Sequence, residues 1–130
     1  MKDPKIIAVS TTEAPSAIGP YSQAIRCGDF LFLSGQVALD PKTLVLVGDS
    51  VETQTEQVMK NLTAVLKSQG LTLQSVVKTT VFLKNMGDFV KFNGVYEKHL
   101  KAPFPARATI EVARLPKDAL VEIEAVATFL

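Results

Sequence analysis

Hydrophobic and polar positions alternate most regularly in the last quarter of the chain, and this alternation predicts two β-strands. The first covers residues 107–114 and the second covers residues 121–129. Pro116-Lys117 stands between them, and a proline interrupts a strand because it has no N–H to donate to the ladder. We therefore expect the two strands to pair as a hairpin around this turn.

This pairing would collect charged side chains on one face of the sheet. Arg107 and Glu111 of the first strand would share that face with Glu122 and Glu124 of the second. The opposite face is apolar and is suited to carry helices. The charged face is either a solvated surface or a functional site, and the pattern alone leaves both interpretations open.

Two segments with apolar residues at helical spacing predict α-helices. The first covers residues 50–69, with Ser50 as its N-cap and Gly70 as its C-terminal stop. The second is capped by Asp88 and cannot continue past Pro103. The residues of this second helix that are expected to face the core are Phe89, Phe92, Tyr96 and Leu100.

Further strands are predicted before and between the helices. Residues 5–9 form a short candidate, residues 21–27 and 30–34 form a hairpin around Gly28-Asp29, and residues 75–84 alternate. This order of elements indicates a mixed α+β domain. Two helices cover only one face of such a sheet, so the other face is left to solvent or to another copy of the chain. Oligomerisation is therefore expected.

Length and composition limit the class of protein. A chain of 130 residues without a compositional boundary is expected to be a single domain, residues 1–130. A net charge of +1 gives no electrostatic reason to expect nucleic acid or an anionic membrane as a partner. Residues 1–10 lack the hydrophobic stretch of a signal peptide, and no apolar run is long enough to span a bilayer. A soluble, cytoplasmic protein is expected.

Three residues are candidates for chemistry, and each has a structural alternative. Arg107 offers a planar guanidinium to a carboxylate or phosphate, or it forms an ordinary ion pair with Glu111 or Glu124. Glu122 is a candidate general base, or one half of such an ion pair. Tyr21 places a hydroxyl at the mouth of a pocket, or it packs within a loop.

Other polar residues give weaker signals. Gly35, next to Ser34 at the end of a predicted strand, would let a ligand or another backbone come close. His99 is expected to be a surface residue, and Cys27 a small buried hydrophobic residue. The single cysteine excludes an internal disulfide, and no His/Cys cluster offers a zinc site. Glycine-rich phosphate-binding motifs are absent.

Five groups of residues, in order along the chain, resemble the RidA (YjgF) family of enamine/imine deaminases over almost the whole length. They are I-G-P-Y-S-Q-A at 18–24, F-L-S-G-Q at 32–36, Q-T at 54–55 with N-L at 61–62, F-N at 92–93 with Tyr96, and F-P-A-R at 104–107 continuing into V-A-R-L-P-K and V-E-I-E-A. The resemblance implies a chorismate-mutase-like α+β fold, a mixed sheet with two helices on one face. It also implies a homotrimer whose sheets line a central barrel, with clefts between subunits.

The resemblance also implies an activity. Members of the family hydrolyse 2-aminoacrylate, 2-iminopropanoate and 2-iminobutanoate to 2-oxo acids and ammonia, without a cofactor or metal. By this resemblance Arg107 holds the substrate carboxylate with help from the Gly35 N–H, and Glu122 deprotonates the attacking water. Tyr21, Ser34 and Asn93 match positions that line the cleft. Thr109 stands where many relatives have a cysteine, so any chemistry of that thiol does not carry over.

Two other classes of function remain as alternatives. One is a non-catalytic oligomeric protein whose clefts bind small carboxylates, in which Arg107 and Gly35 would act and Glu122 would be incidental. The other is an RNA-acting protein, because some relatives have been called endoribonucleases or translation inhibitors. Neutral net charge and the lack of a basic stripe with interleaved aromatic residues weigh against nucleic acid as a partner.

Overall fold

The computed structural model describes residues 5–130 and shows a six-stranded sheet with two α-helices packed on one face. The strands are β1 (Ile6–Val9), β2 (Ala24–Cys27), β3 (Phe30–Gln36), β4 (Val76–Leu83), β5 (Ala106–Glu111) and β6 (Val121–Thr128). The helices are α1 (Val51–Lys67) and α2 (Phe89–Tyr96). The predicted α+β architecture is confirmed. Residues 1–4, which entered the argument against a signal peptide, lie outside the described residues.

Both predicted helices form, but the second is shorter than expected, because α2 ends at Tyr96 and a 3-10 turn over Glu97–His99 precedes Leu100. The Ser50 hydroxyl accepts a hydrogen bond from the Thr53 N–H at 3.1 Å, as expected for the N-cap of α1. At α2 the Asp88 side chain makes no capping bond, and the carboxamide of Asn85 instead accepts from the Gly87 N–H at 2.8 Å. Within residues 5–130, no helix combines the length and the apolar character that a membrane crossing requires.

The order of strands in the sheet differs from the expected hairpin. The sheet runs β1-β2-β3-β6-β4-β5, so β4 lies between the last two strands of the chain. β4 pairs with β5 in parallel and with β6 antiparallel. A parallel pair needs a crossover connection, and α2 supplies it. The predicted pairing of β5 with β6 is therefore wrong.

The inserted strand also decides which side chains share a face. Thr79 of β4 stands opposite Arg107 of β5 and opposite Ala125 of β6, and opposed residues point to the same side. Thr79 is buried under the helices, so Arg107 lies on the helix-covered side of the sheet. Phe82 of β4 stands opposite Glu122, which lies on the other side.

The predicted grouping of charges on one face is therefore wrong. Arg107 and Glu111 lie on the helix-covered side, whereas Glu122 and Glu124 lie on the opposite side. The predicted alternation within each strand is confirmed. The predicted relation between the two strands is wrong, because their register is set by pairing through β4 and not by the turn at Pro116.

The sheet side without helices, called the open face below, carries several large apolar side chains. Phe30, Phe32 and Ile110 are 45%, 48% and 45% exposed in the single chain. Cys27, on the same side opposite Phe30, is half-buried and not fully buried as expected, because no helix covers it. Large apolar side chains exposed together on one face commonly mark an interaction site.

Candidate functional site

Arg107 lies near the start of β5, an edge strand of the sheet, and its side chain extends over α2. Its Nη1 donates a hydrogen bond to Asn93 Oδ1 at 2.8 Å. The ion pair with Glu111, one alternative that the sequence left open, does not form, and the Glu111 carboxylate accepts instead from the Met86 N–H at 2.8 Å. A guanidinium has further N–H donors, so Arg107 retains the planar fork that binds a carboxylate.

Three aromatic rings of α2 lie beneath the guanidinium. The Cζ atom of Arg107 is 5.0 Å from the ring centroid of Tyr96, 5.6 Å from that of Phe89 and 5.7 Å from that of Phe92. Cations over aromatic faces at this range are attracted by the ring quadrupole. Arg107 also lines a cavity of about 340 Å³ with Asn93, Phe104 and other residues, called the arginine cavity below.

Glu122 belongs to a second cavity, of about 520 Å³, on the other side of the sheet. This glutamate cavity is lined by Tyr21, Ser34, Gly35, Lys117, Glu122 and Glu124, with Ile18, Val37 and Leu39 as its apolar wall. Glu122 is half-buried, and burial raises the pKa of its carboxyl, with the charge of Glu124 adding to the effect. Such a carboxyl accepts and returns a proton more readily near neutral pH than an ordinary one.

A β-bulge brings Gly35 against Glu122. Leu33 pairs with Ala125 while Gln36 pairs with Ile123, so β3 carries one extra residue at this point. A Cβ atom built on Gly35 would overlap the Glu122 carboxylate and lie 2.9 Å from its Cδ. Glycine is therefore required here for the carboxylate to keep its position.

Ser34 and Tyr21 complete the wall of the glutamate cavity. The Ser34 hydroxyl donates to the Ser22 carbonyl at 2.6 Å, and the Ser34 N–H donates to the Gln23 carbonyl at 3.0 Å. These bonds tie the bulge to the loop that carries Tyr21, whose ring is 50% exposed. Tyr21 lines the glutamate cavity, and its hydroxyl accepts from the Ile18 N–H of the same loop at 3.5 Å.

The structure gathers the predicted site residues into two separate groups. One contains Tyr21, Ser34, Gly35 and Glu122, and the other contains Arg107 and Asn93. The two cavities share no lining residue and open on opposite sides of the sheet. One chain therefore does not bring Arg107 and Glu122 to the same small ligand.

Thr109 follows Arg107 by two positions and lies on the same side of β5. Its Oγ1 is buried and has no hydrogen-bond partner within residues 5–130. An unpaired buried hydroxyl is costly, commonly about 1–3 kcal/mol, so a ligand or a second copy that reached it would be stabilised.

The sequence missed the contact between Tyr96 and Arg107. Tyr96 was expected in the core, where it is, but its spacing from Phe92 on α2 is that of any core stripe. His99, expected at the surface, is partly buried and its Nε2 lies 2.9 Å from Glu56 Oε2 of α1, outside both cavities. The sequence gives no signal for the Tyr96–Arg107 or the His99–Glu56 contact, because both depend on how the helices and strands pack together.

Comparisons with known proteins identify the family of this chain. A family model described as Endoribonuclease L-PSP matches residues 11–129. Reactive Intermediate Deaminase A of Arabidopsis thaliana, a chloroplastic protein, is 52% identical over 120 residues, which make up 92% of this chain and 64% of that protein.

Solved structures are similar over nearly the full length. A Yersinia pestis protein of unknown function from the conserved Rid protein family has a TM-score of 0.93 and 47% identity, covering 95% of this chain and 99% of that chain. E. coli TdcF with bound serine has a TM-score of 0.87 and 37% identity, covering 94% and 98%. The chain therefore belongs to the Endoribonuclease L-PSP family, which is the RidA (YjgF) family that its motifs resemble.

Proposed function

We propose that this chain hydrolyses small 2-imino acids and their enamine tautomers to 2-oxo acids and ammonia. The observation that carries the proposal is a half-buried Glu122 carboxyl with a raised pKa, held against Gly35 inside a cavity. The Arabidopsis relative is named a reactive intermediate deaminase, and serine binds to E. coli TdcF, which supports an amino-acid-like ligand.

The site is proposed to form between subunits of a homotrimer. The separation of Arg107 from Glu122 supports this, because two copies are needed to offer both groups to one ligand. The exposed apolar residues of the open face supply surface for such an assembly. In the trimer that the motifs imply, the arginine cavity of one copy would face the glutamate cavity of another.

In the proposed reaction, Arg107 binds the substrate carboxylate while C2 faces Glu122 of the neighbouring copy. Glu122 removes a proton from water, and the oxygen forms a bond to C2 as the C=N π electrons move to nitrogen. Glu122 then returns the proton to the nitrogen, and the C–N bond breaks with its electron pair leaving on the nitrogen. The hydroxyl oxygen forms the C=O double bond and its proton passes to the released ammonia. The products of 2-iminopropanoate in its iminium form are pyruvate and an ammonium ion, so the step consumes one water and needs no oxidant.

Several other residues have supporting roles in the proposed reaction. Gly35 provides close access and its N–H supports the bound carboxylate, while Asn93 fixes one edge of the guanidinium. Tyr21, Ser34 and Thr109 line the cleft. An iminium carbon is already electrophilic, so positioning and one general base are sufficient, the base contributing about 10²–10⁴-fold. No cofactor or metal has a role in the proposed reaction.

A coupled assay tests the proposal. A pyridoxal-phosphate dehydratase acting on serine or threonine generates 2-aminoacrylate or 2-iminobutanoate, and the decay of the imine is followed with and without this protein. Accelerated decay is expected for the wild type and not for Arg107→Lys, which keeps the charge but loses the planar fork.

Two further measurements, made beside this assay, separate the alternative functions. Calorimetric binding of 2-oxobutanoate without accelerated decay would favour a non-catalytic carboxylate-binding protein. Cleavage of RNA, with no effect on imine decay, would favour the endoribonuclease activity that names the family model.

A further inference from the structure

Two buried residues that are not among the predicted site residues, Thr79 and Tyr96, link the strand position of Arg107 to its guanidinium. Thr79 stands directly opposite Arg107 in the parallel pair of β4 and β5. Its hydroxyl is 2.7 Å from the hydroxyl of Tyr96, whose ring lies 5.0 Å from the Arg107 Cζ. Thr79 is 4% exposed and Tyr96 is 5% exposed.

This arrangement closes a ring of contacts around an otherwise mobile side chain. An arginine loses much rotamer entropy when it is fixed, so an exposed arginine on an edge strand holds one orientation only if its neighbours impose it. Here the Thr79 bond fixes the hydroxyl end of Tyr96, and Phe92 packs on the Tyr96 ring with a centroid distance of 5.2 Å. The Asn93 carboxamide then holds Nη1 at 2.8 Å.

The chemical state of Tyr96 suits this task. Burial raises the pKa of its phenol, outweighing the opposite effects of the Thr79 hydrogen bond and the Arg107 charge. Tyr96 is therefore neutral at physiological pH and offers Arg107 a ring face, not a phenolate. A phenolate would pair with the guanidinium and compete with a ligand carboxylate, whereas a ring face leaves the positive charge available.

We propose that the Thr79–Tyr96 pair is a positioning device that presents the Arg107 guanidinium in one orientation to a planar carboxylate. The inference rests on the proposed function, because it takes Arg107 as the group that binds the ligand carboxylate. Thr79 lies outside the lining of the arginine cavity and acts only through its partners, whereas Tyr96 also lines that cavity beside Arg107. Thr79→Val therefore tests positioning without altering a cavity wall.

The variants Thr79→Val, Tyr96→Phe and their double combination test this inference. Each single change removes one side of the same hydrogen bond with little change in shape. We expect each to weaken 2-oxobutanoate binding by about fivefold, the equivalent of one ordinary hydrogen bond. The double variant should lose no more than either single variant, because all three lack the same bond.

Two further variants separate positioning from general stability. Thr79→Ser keeps the hydroxyl and should restore binding close to that of the wild type. Thr55→Val is a matched control, because Thr55 is buried in α1 and its hydroxyl donates to the Val51 carbonyl at 2.6 Å. It should lower the melting temperature without changing the affinity for 2-oxobutanoate.

Nuclear magnetic resonance of the Arg107 side chain gives a readout that does not depend on activity. In the wild type, the three rings should shift the Nε–H resonance upfield and the Nη groups should rotate slowly. Both signatures should weaken in Thr79→Val and Tyr96→Phe.

If they weaken while the wild type neither binds 2-oxobutanoate nor hydrolyses imines, the positioning device stands and the proposed function fails. Unchanged Arg107 resonances and affinity in the folded variants, or strictly additive losses, would overturn the positioning role.

Discussion

Gly35 and Glu122 approach each other so closely across β3 and β6 that no side chain fits between them. A Cβ atom on Gly35 would lie 2.9 Å from Glu122 Cδ. The neighbour is the end of a flexible side chain, not backbone, so the protein can yield by moving the carboxylate. We therefore expect this contact to matter more for the position of Glu122 than for the stability of the fold.

Substituting Gly35→Ala tests this directly. Imine hydrolysis should fall by about 10²-fold, because displacement of a reacting group by about 1 Å has effects of this size. The melting temperature should change little. Gly94→Ala is the control, since a Cβ at Gly94 of α2 meets nothing within 4 Å and activity should be retained. Equal activity in both variants would contradict the proposed role of the contact.

Glu122 and Glu124 line the same cavity but should differ in function. Glu122→Gln keeps the shape and removes the base, so turnover should fall by roughly 10²-fold or more. Binding of 2-oxobutanoate should survive, because Arg107 still holds the carboxylate. Glu124→Gln should leave turnover within a few-fold. Steady-state assays with calorimetry decide the matter, and an equal loss in both variants would show that Glu122 is not the base.

The pH dependence should report the raised pKa of Glu122. The base must be deprotonated, so kcat/KM should fall as pH drops through that raised value. Replacing Glu124 by Gln removes one of the two causes of the shift, the other being burial. The acid limb of the profile should therefore move to lower pH in Glu124→Gln. If the limb does not move, the group that titrates in it is not Glu122.

The same shift makes a prediction about stability. A carboxyl whose pKa is raised by folding adds stability below its ordinary pKa, and this contribution is lost as pH rises through the folded value. Glu122→Gln should therefore melt at a higher temperature than the wild type at neutral pH. The difference should vanish in acid, where the Glu122 carboxyl is protonated in both the folded and the unfolded chain. Thermal unfolding of both proteins at several pH values measures the expected difference at neutral pH and its loss in acid.

A site shared between subunits should allow inactive variants to complement each other. Light scattering should first give about three times the chain mass of 14.1 kDa. Arg107→Lys and Glu122→Gln, each nearly inactive alone, are then unfolded together and refolded as mixed trimers. About one quarter of the sites should regain both native groups by random assortment. Mixtures without recovered activity, or a stable monomer, would contradict a site that Arg107 and Glu122 of neighbouring subunits share.

Local patterns determined much of this protein. The helix start at Ser50, the hairpin around Gly28 and the alternation within β6 all follow from nearest-neighbour chemistry along the chain. Capping, turn conformation and side-chain alternation need only a few adjacent residues, so the sequence displays them. Motif resemblance added the proposed roles of Arg107 and Glu122, for which the pattern alone left both a functional group and an ion pair open.

Only the tertiary structure decided how those pieces meet. The insertion of β4 between β5 and β6 sets Arg107 and Glu122 on opposite sides of the sheet, where a hairpin would have joined them. Tyr96 reaches Arg107 only because α2 crosses from β4 to β5 above that strand pair. Strand neighbours are chosen by burial summed over the whole core, a long-range quantity that no single stretch of sequence contains.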